Sequence, residues 1–223
     1  MNYVPQLYDY LRRLSNNNNR EWFKANRAEY DDLRAQWEAD LARLIADMSQ
    51  WDNRIAAQTS KTSAYRIYRD IRFKQDKTPF KTYFSASIGP YGKKLERAGY
   101  YLHMGPVTDS GLYGGLWCPD SAMLRKLRKA MVDNIDELRE ILAEPELQKE
   151  FPGWCGDMLK TIPKGYDRNH PDADLLRLKD IGKWHRCSEK WFSSERWTER
   201  ASHLFSLLRP LVDFINYSIE EEV

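Results

Sequence analysis

Three arginines lie within seven residues of one another around one carboxylate: Arg66, Arg69 and Arg72 about Asp70. Lys77 and Lys81 follow. A guanidinium presents a planar fork that matches phosphate or carboxylate oxygens in pairs, and an ammonium adds a point charge. One Asp cannot offset three fixed positive charges, and an unpaired charge is not buried cheaply. The surplus must meet acids elsewhere in the fold, water, or a bound anion. The chemistry this implies is capture of a phosphate- or carboxylate-bearing molecule by Arg66, Arg69, Arg72, Lys77 and Lys81. Asp70 would orient an arginine or serve as a base. His103, in a β-like run beside Tyr101, is a second titratable candidate. It is a general base if it faces the arginines, and otherwise a satisfied histidine of the sheet.

The charge is unevenly spread. Residues 54–99 hold eleven Lys/Arg and three acids, a net +8, in a chain of 223 residues whose total is only +2. Everything outside that block therefore sums to −6. Such asymmetry speaks to anionic partners, not to fold. The competing possibility is that acidic helices pack on the block and neutralise it.

Other chemistries leave no signature. Cys118, Cys155 and Cys187 are odd in number and widely spaced, which excludes a disulfide framework and fits a reducing cytoplasm. His103, His170, His185 and His203 lack metal-ligand spacing, so no metal is expected. His185 and Cys187 would share a strand face. Gly111, Gly114 and Gly115 form neither a phosphate loop nor a dinucleotide fingerprint, and no cofactor is expected. Glycines of this kind mark a bulge or a close backbone approach. No nucleophile elbow is present. No apolar run approaches the ~20 residues of a bilayer span, and residues 1–10 lack a signal pattern; a cytoplasmic location with no membrane partner is expected.

These residues need a scaffold. From Asn19 to Met48, Trp22, Tyr30, Leu33, Trp37, Leu41, Leu44 and Met48 recur mostly at steps of three or four, which predicts a helix. A short helix over 6–14 precedes it. Asp120 or Ser121 caps a helix through Leu124, Leu127 and Met131, Asp133 or Asn134 a second, and Pro145 opens a third. A last helix spans 194–220, with Pro210 expected to kink it. The centre favours strands: 64–73, 82–88, 99–104 and 111–117, with a further one over 175–181. A turn falls at 89–92, and 151–174 reads as a long ordered loop with a short helix. Strands clustered centrally between helical ends predict an α+β fold: one domain, a central antiparallel sheet of about four to six strands, and helices before, between and after. The tryptophans Trp117, Trp154, Trp184, Trp191 and Trp197 read as anchors of helix–sheet packing.

The Arg/Asp run resembles that of a mainly bacterial family without assigned activity, domain of unknown function 2461. Arg66, Arg69, Asp70, Arg72, Phe73, Asp76 and Lys77 fill its defined positions, and Phe80 stands where the family has tyrosine. Trp22-Phe23, the run 99–103 and Gly114-Gly115 are similar too, so the resemblance covers nearly the whole chain. It implies no reaction or cofactor. The Phe80 departure favours aromatic packing over phenol chemistry there. Three functional readings follow. The first is a small-anion site. The second is a nucleic-acid-binding module in which Tyr65, Tyr68, Tyr83 and Tyr91 stack bases. The third is a ligand-free network joining the arginines to acids on the flanking helices.

Overall fold

The structure is a computed structural model that describes residues 2–93 and 96–220. Lys94, part of the basic block, lies outside the described residues. In chain order the helices before the sheet are α1 (Val4–Asn16), α2 (Arg20–Ala25), α3 (Arg27–Ser49), a 3-10 turn (Asn53–Ile55) and α4 (Ser60–Ser63). Three strands follow, β1 (Phe84–Ile88), β2 (Gly99–Met104) and β3 (Gly111–Leu116). Then come α5 (Ser121–Asp133), α6 (Ile135–Ala143), α7 (Pro145–Glu150) and α8 (Ala173–Leu176). The chain ends with β4 (Ile181–Arg186), α9 (Glu189–Phe192) and α10 (Trp197–Glu220). The α+β fold is as expected: the strands form one antiparallel sheet in the order β1-β2-β3-β4.

Alternation along the strands divides the sheet into two unlike faces. Phe84, Ala86 and Ile88 of β1, Tyr100, Leu102 and Met104 of β2, and Leu112 and Leu116 of β3 are buried against helices. Trp37 of α3 meets Phe84 edge to face at 5.3 Å, and its indole N–H donates to Met104 Sδ at 3.2 Å. Phe205 of α10 packs on Tyr100 at 5.3 Å. Each fully buried Leu or Phe of this layer contributes about 1.5–3 kcal/mol. α10 lies so close to β3 that a Cβ on Gly114 would stand 2.6 Å from Leu208 Cδ1, which is why that position has no side chain. One apolar cluster runs from Tyr3 to Ile219. α10 carries Pro210 in its interior and does not end there.

One helix differs from the sequence reading. The expected helix over 19–48 is broken at Asn26, whose side-chain amide donates to Trp22 O at 2.8 Å while Asn26 caps both α2 and α3. Asn19 caps the start as expected, accepting from Trp22 N.

Two strand assignments are corrected. The stretch 64–73 is not a strand: it makes only isolated bridges, Ala64 with Ala86 and Tyr68 with Phe80, and folds back on itself. Arg69 N donates to Pro79 O and Lys81 N to Ile67 O, at 2.9 and 2.8 Å. Its β-favouring residues are overruled by two aspartates that capture backbone amides. Asp70 accepts from Arg72 N at 3.2 Å and Asp76 from Thr78 N at 2.9 Å, turns that leave no ladder. The stretch 175–181 is the end of α8 and a connector, and β4 begins at Ile181. The buried Arg128 donates to Leu176 O and Leu178 O at 2.8 and 2.9 Å, occupying carbonyls a neighbouring strand would have used. No helix among the described residues is long and apolar enough to cross a membrane.

Candidate functional site

The second face of the sheet is not covered by a helix layer. It floors a cleft of about 590 Å3, within the range of small-molecule sites. The register brings its residues together: Ser85 lies opposite His103, Ser87 opposite Tyr101, Tyr101 opposite Tyr113, and Tyr113 opposite Trp184. Lys81 and Tyr83 continue the same alternation ahead of β1. Small residues keep the floor low. A Cβ on Gly115, which holds φ +140°, would come within 2.2 Å of Ile181 O, and one on Gly182 would meet the Tyr113 hydroxyl.

The cleft has a basic end and an aromatic end. At the basic end the Lys81 ammonium lies 5.1 Å from the centre of the Tyr65 ring and 5.9 Å from that of Tyr83. The Lys93 ammonium sits 5.2 Å from the same Tyr65 ring and donates to Ala64 O. Arg97 lines the cleft away from these two lysines, its guanidinium 5.3 Å from the Tyr91 ring. Its buried Nε has no hydrogen-bond partner, and the carboxylate of Glu220 stands 3.6 Å away. The Lys81 ammonium makes no ion pair among the described residues. Burial, then the neighbouring cations Arg66, Arg34 and Lys93, push its pKa down. Lys93 is lowered by burial and by Arg34. Asp109 is the one carboxylate among the described residues lining the cleft, and it is held by Arg186 at 2.6 Å. At the other end Trp117 is half exposed on the rim, edge-on to Tyr113. Trp117 and Trp184 therefore line the cleft as well as packing, a correction to their reading as anchors alone. The Tyr113 hydroxyl is buried without a partner, and burial keeps it protonated.

His103 is brought to this cleft, and it is fully engaged there. Its Nδ1 is 3.1 Å from the Tyr101 hydroxyl, its Nε2 2.6 Å from Thr108 Oγ1, and its ring stacks on Tyr83 at 4.2 Å. Burial, and then Lys81, lower its pKa to about 4, so the ring is neutral near pH 7. A neutral imidazole with one nitrogen accepting and the other donating has no lone pair left for a substrate proton.

The remaining sequence candidates lie elsewhere. Arg66, Asp70, Arg72 and Lys77 are exposed on the folded-back segment 66–80, and Arg69 is partly covered beneath it. Arg69 pairs with Asp76 at 2.5 Å and with the Thr78 hydroxyl, Arg72 pairs with Asp70 at 2.7 Å, and the Lys77 ammonium donates to Ile71 O. The hydrogen bonds from Arg72 hold the Asp70 carboxyl at about 2. None of the three arginines reaches an acid on a flanking helix, so the internal network expected of a purely structural cluster does not form among the described residues. Of the five cations predicted to hold a ligand, only Lys81 lines the large cleft. Phe80 is buried and stacks on Phe23 at 4.1 Å, the packing role its lack of a hydroxyl implied. His185 Nδ1 lies 2.8 Å from Glu150 O, while β4 ends at Arg186, before Cys187.

The sequence profile of the family described as conserved hypothetical protein (DUF2461) matches residues 6–214. The chain belongs to this family. Comparison with curated proteins and with solved structures gave no match. For a family member, then, the cleft is to be read from its own chemistry. Sequence reading missed Lys93, Arg97, Tyr101, Tyr113 and the two tryptophans as site residues. The available signal was the every-second-residue run of Ser85 and Ser87, Tyr101 and His103, and Tyr113 and Gly115. Polar and small side chains there alternate with apolar ones and so share one face.

Proposed function

We propose that the open face of the sheet binds a small amphipathic anion. Its carboxylate or phosphate is taken by Lys81 and Lys93, and its planar or apolar body lies over Tyr101, Tyr113 and Trp117. The observation that carries this reading is that two ammonium groups flank one tyrosine ring in a half-enclosed cleft whose single carboxylate is already paired. Cations held with their hydration reduced and no counter-charge are ready for an anion, and the interaction is stronger there than on open surface. Asp70 and the arginines of 66–80 do not line this cleft, although Arg66 stands near enough to Lys81 to add to the positive charge there. The three free cysteines suit a reducing, cytoplasmic setting.

Titration calorimetry with phenyl phosphate tests this, with phenol and inorganic phosphate as half-ligands. Phenyl phosphate should bind more tightly than either half. Lys81→Met should weaken it by about 10- to 150-fold, the equivalent of one charge-assisted hydrogen bond of about 1.5–3 kcal/mol. Equal binding by the folded variant, or no binding by any aromatic phosphate or carboxylate, refutes the proposal.

A further inference from the structure

The surface formed by α2 and the segment 66–80 is separate from the cleft and has a different character. Residues 20–27 and 66–80 together hold eight basic and three acidic residues. Between them lies a hollow of about 410 Å3 lined by Arg20, Lys24, Arg27 and Arg69 with Phe23 and Tyr68, and no carboxylate lines it. Arg20, Lys24, Arg66 and Lys74 make no side-chain hydrogen bond or ion pair among the described residues. Beside these charges stand two rings open to solvent. Tyr68 is 46% exposed and Phe73 is 93% exposed, with the Arg72 guanidinium 5.9 Å from the Phe73 ring.

The segment is also fixed in place. Arg69 is tied to Asp76 and Thr78, Arg72 to Asp70, and Lys77 to Ile71 O, so the loop presents its rings without a large ordering cost on binding. Cations interleaved with exposed rings on a preformed surface meet the two needs of single-stranded nucleic acid: phosphates to neutralise and bases to stack. An anionic bilayer would also attract these charges, and the vesicle measurement below separates it from an oligonucleotide.

We infer that this surface binds single-stranded nucleic acid without sequence preference. Bases stack on Phe73 and Tyr68, and the backbone tracks Arg20, Lys24, Arg66 and Lys74. This surface and the small-anion cleft share no lining residue.

The test is fluorescence anisotropy of a labelled 20-mer of deoxythymidine with the full chain, from 20 to 200 mM salt. Contact with about four phosphates predicts a log–log salt slope of about −3. Phe73→Ala, at a position with no packing to lose, should weaken binding about fivefold or more. Tyr68→Ala adds to the loss, and its melting temperature controls for the contact with Phe23. Inorganic polyphosphate, which has charge but no bases, should bind equally to the parent and to Phe73→Ala. Three results overturn the inference: no binding at 20 mM salt; an oligonucleotide affinity that Phe73→Ala does not alter; or ring-dependent binding to anionic vesicles with none to the oligonucleotide.

Discussion

His103 makes stability depend on pH in a window that other perturbed groups do not share. Its folded pKa is about 4, against 6.5 for the free side chain, because burial and Lys81 oppose the charged ring. Between those two values the unfolded chain takes up a proton that the folded chain does not. The stability His103 contributes is therefore complete above pH 6.5 and is lost as pH falls towards 4. Each unit of difference is worth about 1.36 kcal/mol, so the full effect is about 3 kcal/mol, and about 2 kcal/mol of it is gone by pH 5. The residue is 8% exposed, so solvent screening weakens the effect little. The carboxylates of Asp70 and Asp76 are held at about 2 by their hydrogen bonds, so their contribution is lost only at lower pH. Urea denaturation at pH 7, 6 and 5 measures the fall. His103→Gln should flatten it by about 2 kcal/mol between pH 7 and 5, since the amide can accept from Tyr101 and donate to Thr108 without titrating. A variant that loses stability with pH as steeply as the parent would refute the reasoning. So would a histidine NMR titration placing His103 above pH 6.

Gly115→Ala should destabilise by at least about 2 kcal/mol, a fall in Tm of about 4–8 °C, because the new Cβ meets backbone at 2.2 Å in a positive-φ residue; a drop under 1 °C would show that β3 and β4 can part cheaply. Arg128→Ala should cost about 2–3 kcal/mol, since the carbonyls of Leu176 and Leu178 lose their donors. Limited proteolysis should then cut within 151–180 first, and cleavage as slow as the parent's would contradict that role.

Three of the four strands were legible because apolar residues alternate there and glycine-rich turns separate them. The fourth was placed too early. Leu175, Leu176 and Leu178 supply apolar character that belongs to a helix end and to a connector tied down by Arg128, a contact 48 residues away in sequence that no local pattern shows. The segment 64–73 was misread for a related reason. Tyr65, Ile67, Tyr68 and Ile71 favour a strand by composition, but Asp70 and Asp76 draw the backbone into turns, and Pro79 cannot donate to a ladder.

The same contrast holds for the site. Density of charge drew attention to the arginines of 66–80, yet Arg69 and Arg72 are paired within their own loop and none of the three lines the cleft. Lys81 and His103 were found because each was notable in its own segment. Lys93, Arg97 and Tyr113 are brought into one cleft with Lys81 by the β1–β2 connection and by strand register, which only the folded sheet fixes. His103 shows the limit from the other side: its chemistry depends on Tyr101, Thr108 and Tyr83, and that packing turns a candidate base into part of the wall.

The central claim is tested most directly by locating a bound anion. A crystal soaked with 4-bromophenyl phosphate, at a concentration that saturates the calorimetric titration, marks the ring by the anomalous scattering of its bromine. The phosphate should lie within about 3 Å of the Lys81 ammonium, with the bromine over Tyr113 and Trp117. Bromine found only against Tyr68 and Phe73, or a cleft without ligand at that concentration, would contradict the assignment of the open sheet face as the small-anion site.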